Sequence, residues 1–219
     1  MKIERVELRR VAMPLVTPFR TSFGTQTDRD VLLVRVEGPD GEGWGECVAM
    51  NEPLYSAEYV DGAHAVIRDH LLPRLGRLGE VTADRVAAAL APVKGHPMAK
   101  AAVEMAVLDA ELTARGESLA AHLGSVREAV PSGVSVGIPG SVAELIDTVA
   151  AYLEQGYVRV KLKIEPGWDV EPVRAVRERF GDDLLLQVDA NTAYTVADAR
   201  HLARLDPFGL LLIEQPLPE

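Results

Sequence analysis

Two lysines and two acids are spaced as if to share one reaction centre. Lys161 and Lys163 stand two apart in Val160-Lys161-Leu162-Lys163, so in a strand both side chains leave the same face while Leu162 leaves the other. Asp189 follows Lys163 by 26 residues, in Val188-Asp189-Ala190-Asn191, and Glu214 follows Asp189 by 25, in Ile213-Glu214-Gln215-Pro216. Two ammonium groups side by side repel, which is expected to lower the pKa of at least one and bring a neutral lysine base within reach of physiological pH. The neighbouring acids offer the hard oxygen ligands that Mg2+ takes. A lone charge at a strand end is ordinarily a solvated rim residue. Three in phase, each after an apolar run, point to a site.

The elements that must position these residues alternate from about residue 130 onward. Apolar runs at Gly133 to Ile138, Val158 to Ile164, Leu184 to Asp189 and Leu210 to Glu214 are separated by helical patterns over Val142 to Glu154, Val170 to Arg179 and Val196 to Leu205. This alternation predicts βαβ units and a parallel sheet. The strand starts, near 132, 158, 184 and 210, recur about every 26 residues, which is the step of the charged residues as well. Parallel α/β folds gather function at the carboxyl ends of strands, so Lys163, Asp189 and Glu214 are expected around one mouth. No Gly-x-Gly-x-x-Gly follows any of these strands, which argues against a dinucleotide-binding sheet.

Residues 1 to about 125 have a different grammar, mixed α+β. Lys2 to Val11, Val31 to Glu37 and Gly43 to Met50 read as strands, with Pro39-Asp40-Gly41 as a hairpin turn. Helices are predicted over Ser56 to Leu72, closed by Pro73, over Thr82 to Leu90 with Thr82 as N-cap, and over Met98 to Arg115. In the last, Ala101, Met105, Leu108 and Leu112 form the expected apolar face, and Gly116 the stop.

The 219 residues carry a net charge of −10, with a pI near 5.0 and scattered basic residues, which argues against nucleic acid or a membrane surface as partner. With 47% hydrophobic residues and a mean hydropathy of +0.05, a sizeable core is affordable. Cys47 is the single cysteine, so no intrachain disulfide forms and a reducing, cytoplasmic setting is expected. No apolar run has membrane-span or signal-peptide length. The five histidines, His64, His70, His96, His122 and His201, lack ligand spacing and are given no chemistry.

The Lys-x-Lys, Asp-Ala-Asn and Glu-Gln-Pro strand ends resemble the muconate-lactonizing subgroup of the enolase superfamily. Pro18 to Gly24, Gly156 to Asp169 (GYVRVKLKIEPGWD) and Val188 to Tyr194 (VDANTAY) are similar to its o-succinylbenzoate synthase and N-succinylamino acid racemase branch. The resemblance implies an α/β fold: an N-terminal α+β capping domain (1–125), then the first four β/α units of a (β/α)7β TIM-like barrel (126–219), truncated. It implies proton removal next to a carboxylate through an enediolate, with Mg2+ or Mn2+ as cofactor. In that chemistry Lys163 would be the base, Lys161 would help hold the developing charge, and Asp189 and Glu214 would be metal ligands steadied by Asn191. Phe19 and Phe23 in the loop Pro14 to Thr27, and Met50 and Tyr55 in the loop Val48 to Tyr59, would contact a small carboxylate substrate, as would Ser135.

The implied activities are dehydration to o-succinylbenzoate, a step of menaquinone biosynthesis, and racemisation of N-succinylamino acids. Cycloisomerisation, dipeptide epimerisation, and a non-catalytic assembly module are alternatives. The family pattern also calls for a third metal acid and a second lysine, roughly one and two strand periods past Glu214 and therefore past Glu219. A fragment of a longer enzyme is the expected reading. The open sheet edges predict a homo-oligomer or a complementing C-terminal half.

Overall fold

A computed structural model describes residues 1–218, which form two compact units. The first comprises Met1–Pro14 and Asp28–Glu128, the second Leu15–Thr27 and the described residues from Ala129 onward.

In the first unit a sheet of order β1-β2-β3 is built from β1 (Arg5–Thr21), β2 (Gly24–Gly38) and β3 (Gly41–Cys47). β2 and β3 are antiparallel, with Leu32 opposite Cys47 and Gly38 opposite Gly41 across the expected turn. Leu32, Val34 and Val36 alternate into the core, as period-two patterning requires. Helices follow: α1 (Val60–Val66), a π-helical turn (Ile67–Leu71), α2 (Leu72–Leu75), a 3-10 turn (Gly76–Leu78), α3 (Ala83–Leu90), α4 (Pro97–Arg115) and α5 (Leu119–His122).

Three expectations are corrected here. Pro73 does not close the first helix: it sits in the first turn of α2, where the π-helical turn ahead of it absorbs the missing N–H. Thr82 makes no side-chain cap to α3. Its hydroxyl binds the Asp84 carboxylate, and Glu111 Oε1 accepts from the Ala83 N–H at 3.2 Å instead. The buried face of α4 is not the bulky stripe. Ala99, Ala102, Val103, Ala106, Val107 and Ala110 are buried; of the expected stripe, Leu112 is buried and Leu108 half-buried, while Ala101 is exposed and Met105 is 43% exposed. The reason is close approach. A Cβ on Gly45 would lie 1.9 Å from the Ala102 carbonyl oxygen, and one on Gly43 2.1 Å from the Ala110 nitrogen, so only small residues fit between α4 and β3.

The second unit holds four parallel strands in the order β4-β5-β6-β7: β4 (Gly133–Val136), β5 (Arg159–Lys163), β6 (Leu185–Asp189) and β7 (Ile213–Glu214). The crossovers carry α6 (Val142–Glu154) and α7 (Val170–Phe180). Ser141 caps α6, its hydroxyl accepting from the Glu144 N–H. The predicted Val196 to Leu205 helix is instead a 3-10 turn (Val196–Asp198), the short α8 (Ala199–Leu202) and a second 3-10 stretch (Ala203–Phe208) containing Pro207. Val160, Leu162, Val173, Val176, Leu186 and Val188 make the core between sheet and helices.

The units do not divide at one cut near residue 125. The tip of the β1–β2 hairpin, Leu15–Thr27, groups with the second unit because its polar groups are satisfied there. The Ile138 N–H donates to the Arg20 carbonyl at 3.0 Å, the Ser22 hydroxyl to the Ala190 carbonyl at 2.9 Å, and the Arg20 guanidinium to Glu165 Oε1 at 2.7 Å. The architecture is thus the α/β one expected, an α+β unit plus part of a parallel barrel sheet.

Candidate active site

The sheet register brings the charged strand ends together. Lys163 pairs with Asp189 across β5 and β6, Asp189 with Glu214 across β6 and β7, and Ser135 with Lys161 across β4 and β5. Parallel strands in register place these residues on one face at the carboxyl end.

Asp189 is at the centre and is 1% exposed. Its Oδ2 accepts from Lys163 Nζ at 2.6 Å and lies 3.4 Å from Lys161 Nζ, while Oδ1 accepts from the Asn191 N–H at 3.0 Å. Burial works against its ionised form, but the Lys163 hydrogen bond, the Asn191 N–H and both ammonium charges outweigh that and hold its carboxyl below the usual range. Lys163 is buried and donates a second hydrogen bond to Asn191 Oδ1 at 2.7 Å. Lys161 donates to Glu214 Oε2 at 3.0 Å.

The expected effect of one ammonium on the other is not what the site displays at Lys161. Burial alone would lower its pKa, yet the Glu214 hydrogen bond and the charges of Asp189 and Glu214 raise it above the ordinary lysine value. Lys161 lies 3.0 Å from Glu214 and 3.4 Å from Asp189, and Lys163 lies 2.6 Å from Asp189, so the cluster sets two lysines against two carboxylates.

Asp189 and Glu214 suit a hard cation: both are carboxylates, and they already share one positive charge, the Lys161 ammonium. No third acid, histidine or cysteine joins them in a ligand-like group among the described residues. The backbone at the mouth is unusual. Asn191, Thr192 and Gln215 hold positive φ values of 43°, 66° and 42°, directly after β6 and β7. Such conformations cost a non-glycine residue about 1–3 kcal/mol and persist where neighbours impose them, commonly at functional sites.

Phe19, on the hairpin tip, puts its ring centroid 5.9 Å from Lys163 Nζ. Phe23 lies half-buried at the same tip. The Ser135 hydroxyl is buried with no hydrogen-bond partner, an acceptor and donor left open beside the lysines. Met50 and Tyr55 belong to the first unit, between β3 and α1, where the Met50 carbonyl accepts from the Val60 N–H and Tyr55 is 38% exposed. Sequence reasoning missed several polar contacts: Ser22 with the Ala190 carbonyl, Arg20 with Glu165, and the buried Asp169 and Tyr194 with the partly exposed His201. Asp169 and Tyr194 were visible as the last residues of two family-like stretches, with nothing in spacing to join them.

Residues 3–124 match the model of the mandelate racemase / muconate lactonizing enzyme N-terminal domain, and residues 144–219 that of the enolase C-terminal domain-like family. An N-succinylamino acid racemase of an Amycolatopsis species is 68% identical over the whole chain, which spans 60% of that relative's length. An o-succinylbenzoate synthase of Geobacillus kaustophilus is 43% identical over 99% of this chain and 58% of its own. Among solved structures, an enolase-superfamily member from Listeria innocua aligns with a TM-score of 0.93 at 37% identity, over 100% of this chain and 59% of that one. The chain therefore spans about 60% of the length of these relatives.

Proposed function

Because the chain belongs to the mandelate racemase / muconate lactonizing enzyme family, within the enolase superfamily, we propose that the whole protein abstracts a proton next to a carboxylate, as an N-succinylamino acid racemase, an o-succinylbenzoate synthase, or both. The observation that carries this is the buried Lys163, held between Asp189 and Asn191 with Lys161 alongside.

In this reading Lys163, as the free amine, takes the proton from the carbon next to the substrate carboxylate. Its nitrogen is aimed by Asn191 and Asp189. Lys161, kept charged by its carboxylate partners, faces the negative charge that builds on the substrate as an enediolate. Asp189 and Glu214 would hold Mg2+ or Mn2+, which when bound supplies Lewis-acid stabilisation of that charge. Phe19 covers Lys163 and limits water, and the open Ser135 hydroxyl, together with Phe23, would meet the rest of the substrate. Dehydration can use Lys163 twice, first as base and then as acid toward the leaving hydroxide. Racemisation needs a second group on the opposite face of the carbon.

The substrate class is a small carboxylate bearing a succinyl group, and the setting is the cytoplasm, in menaquinone biosynthesis if dehydration is the native reaction. No helix among the described residues is long and apolar enough to cross a membrane. A homo-oligomer is the expected assembly. The test is α-proton exchange in deuterated water, followed by NMR, with N-succinylamino acids as substrates, alongside ultraviolet assay of the dehydration. Exchange that needs a divalent cation, stops with chelator and is lost in Lys163→Ala supports the proposal. Exchange or dehydration surviving Lys163→Ala refutes it, and neither exchange nor dehydration in the wild-type whole protein refutes it and favours a non-catalytic module.

A further inference from the structure

On the segments that follow β5 and β6 lies a buried polar pair that the proton-transfer reading does not use. Asp169, 5% exposed, follows β5; Tyr194, 1% exposed, follows β6. Asp169 Oδ1 accepts from the Val170 N–H at 2.6 Å, and Oδ2 accepts from the Tyr194 hydroxyl at 2.8 Å and contacts His201 Nε2 at 2.7 Å. Burial beside this carboxylate pushes the Tyr194 phenol far above its usual pKa, so it remains a donor. A buried carboxylate is costly, and a phenylalanine against an apolar neighbour would close the same core. The polar version must therefore fix a geometry.

The backbone identifies which geometry. Past the end of β6 the N–H groups of Ala190, Thr192 and Tyr194 donate in turn to the carbonyls of Glu214 (3.0 Å), Gln215 (2.7 Å) and Pro216 (3.0 Å). This ladder joins the segments carrying Asp189 and Glu214, and Tyr194 is its last rung. Thr192, the middle rung, and Asn191 before it form a left-handed pair, and Asn191 Oδ1 accepts from Lys163 Nζ. The Asp169 anchor on Tyr194 thus closes a loop from β5 through β6 to β7.

We propose that Tyr194, held by Asp169, is a positioning residue for Lys163: it keeps the Asn191–Thr192 turn in its left-handed form so that the Asn191 side chain stays on the lysine nitrogen. The kinetic consequence rests on the proton-abstraction reading; the structural one does not.

The test uses Tyr194→Phe in the whole protein, which removes one hydroxyl and keeps the ring. With an N-succinylamino acid and Mg2+ as probes, kcat falls at least about tenfold while KM stays within about twofold, the pattern of a misaimed group. Amide hydrogen exchange quickens at Thr192 and Tyr194 but not along α7. A lower melting temperature with unchanged kcat and unchanged exchange at these amides would mean a purely structural role and overturn the proposal. Asp169→Asn, read the same way, decides if Tyr194→Phe does not fold, and failure of both to fold reduces the group to a folding element and overturns it too. A wild-type protein without turnover would remove the proposed function and leave exchange at Thr192 and Tyr194 as the deciding measurement.

Discussion

Gly45→Ala isolates the contact that joins α4 to β3. The added Cβ would stand 1.9 Å from the Ala102 carbonyl oxygen and 2.9 Å from both the Ala102 carbonyl carbon and the Ala106 nitrogen. All three atoms are backbone, so no rotamer change relieves them. Ordinary contact lies at about 3.5 Å, which requires α4 to retreat by roughly 1.5 Å, and a gap of even ~0.5–1 Å forfeits a quarter to a half of each dispersion contact along the seam. Overpacking of this kind costs about 1–3 kcal/mol. Gly45 has no left-handed φ, so alanine also gains about 0.4–1 kcal/mol by restricting the unfolded chain. The clash wins by about 1–2 kcal/mol, and at ~2–4 °C per kcal/mol for a chain of this size the melting temperature drops by roughly 2–8 °C. The control is Gly76→Ala, where φ is −58° and a Cβ meets nothing within 4 Å; it should be neutral or slightly stabilising. Calorimetry of both variants checks this. A Gly45→Ala protein melting at or above the wild type would refute the claim that backbone proximity selects the small residues of α4.

Arg177 is buried and donates to the carbonyls of Gly181, Asp182, Leu184, Phe208 and Gly209, so Arg177→Ala strands five acceptors and should lose about 3 kcal/mol, read as a lower urea midpoint with unchanged slope. Asp169 titrates below the usual carboxylate range: burial opposes its charge, but the Val170 N–H, His201 and Tyr194 outweigh it. A depressed folded pKa adds stability that is present above the unfolded value of about 3.9 and vanishes as pH falls through the folded one. The stability gap between wild type and Asp169→Asn should therefore shrink as pH falls below about 4; a gap unchanged over that range would disprove the assignment. Ser22→Ala removes the donor to the Ala190 carbonyl and should cost about 1 kcal/mol, with faster hydrogen exchange at the Ile138 amide, whose acceptor is on the same hairpin tip.

The barrel half was legible because its signals are local. Strand period, apolar runs and charges at run ends are all local features, and the structure pairs Lys163, Asp189 and Glu214 in register as their spacing requires. What stayed hidden depends on partners far along the chain. The face of α4 was misread because hydrophobic periodicity weighs bulk, whereas docking on Gly43 and Gly45 rewards its absence. Thr82 looked like a cap, but Glu111 reached its helix first. The lysine pair was read for mutual repulsion, and the carboxylates that outweigh it sit 28 and 53 residues from Lys161, close only once the strands align. Asp169 and Tyr194, 25 residues apart, likewise meet only through the fold.

The hairpin tip has a consequence for how the polypeptide is made. Residues 15–27 leave the ribosome well ahead of the groups that satisfy them: the Ile138 N–H, Glu165 and the Ala190 carbonyl are synthesised more than a hundred residues later. At translation rates of about 5–20 residues per second, the tip waits several seconds or more with its partners unmade. The sheet can close early around Leu32, Val34 and Val36, but Phe19 reaches Lys163 only after β5 and β6 have formed. The order of synthesis thus keeps the cover off the lysines until the strands that carry and flank them are in place.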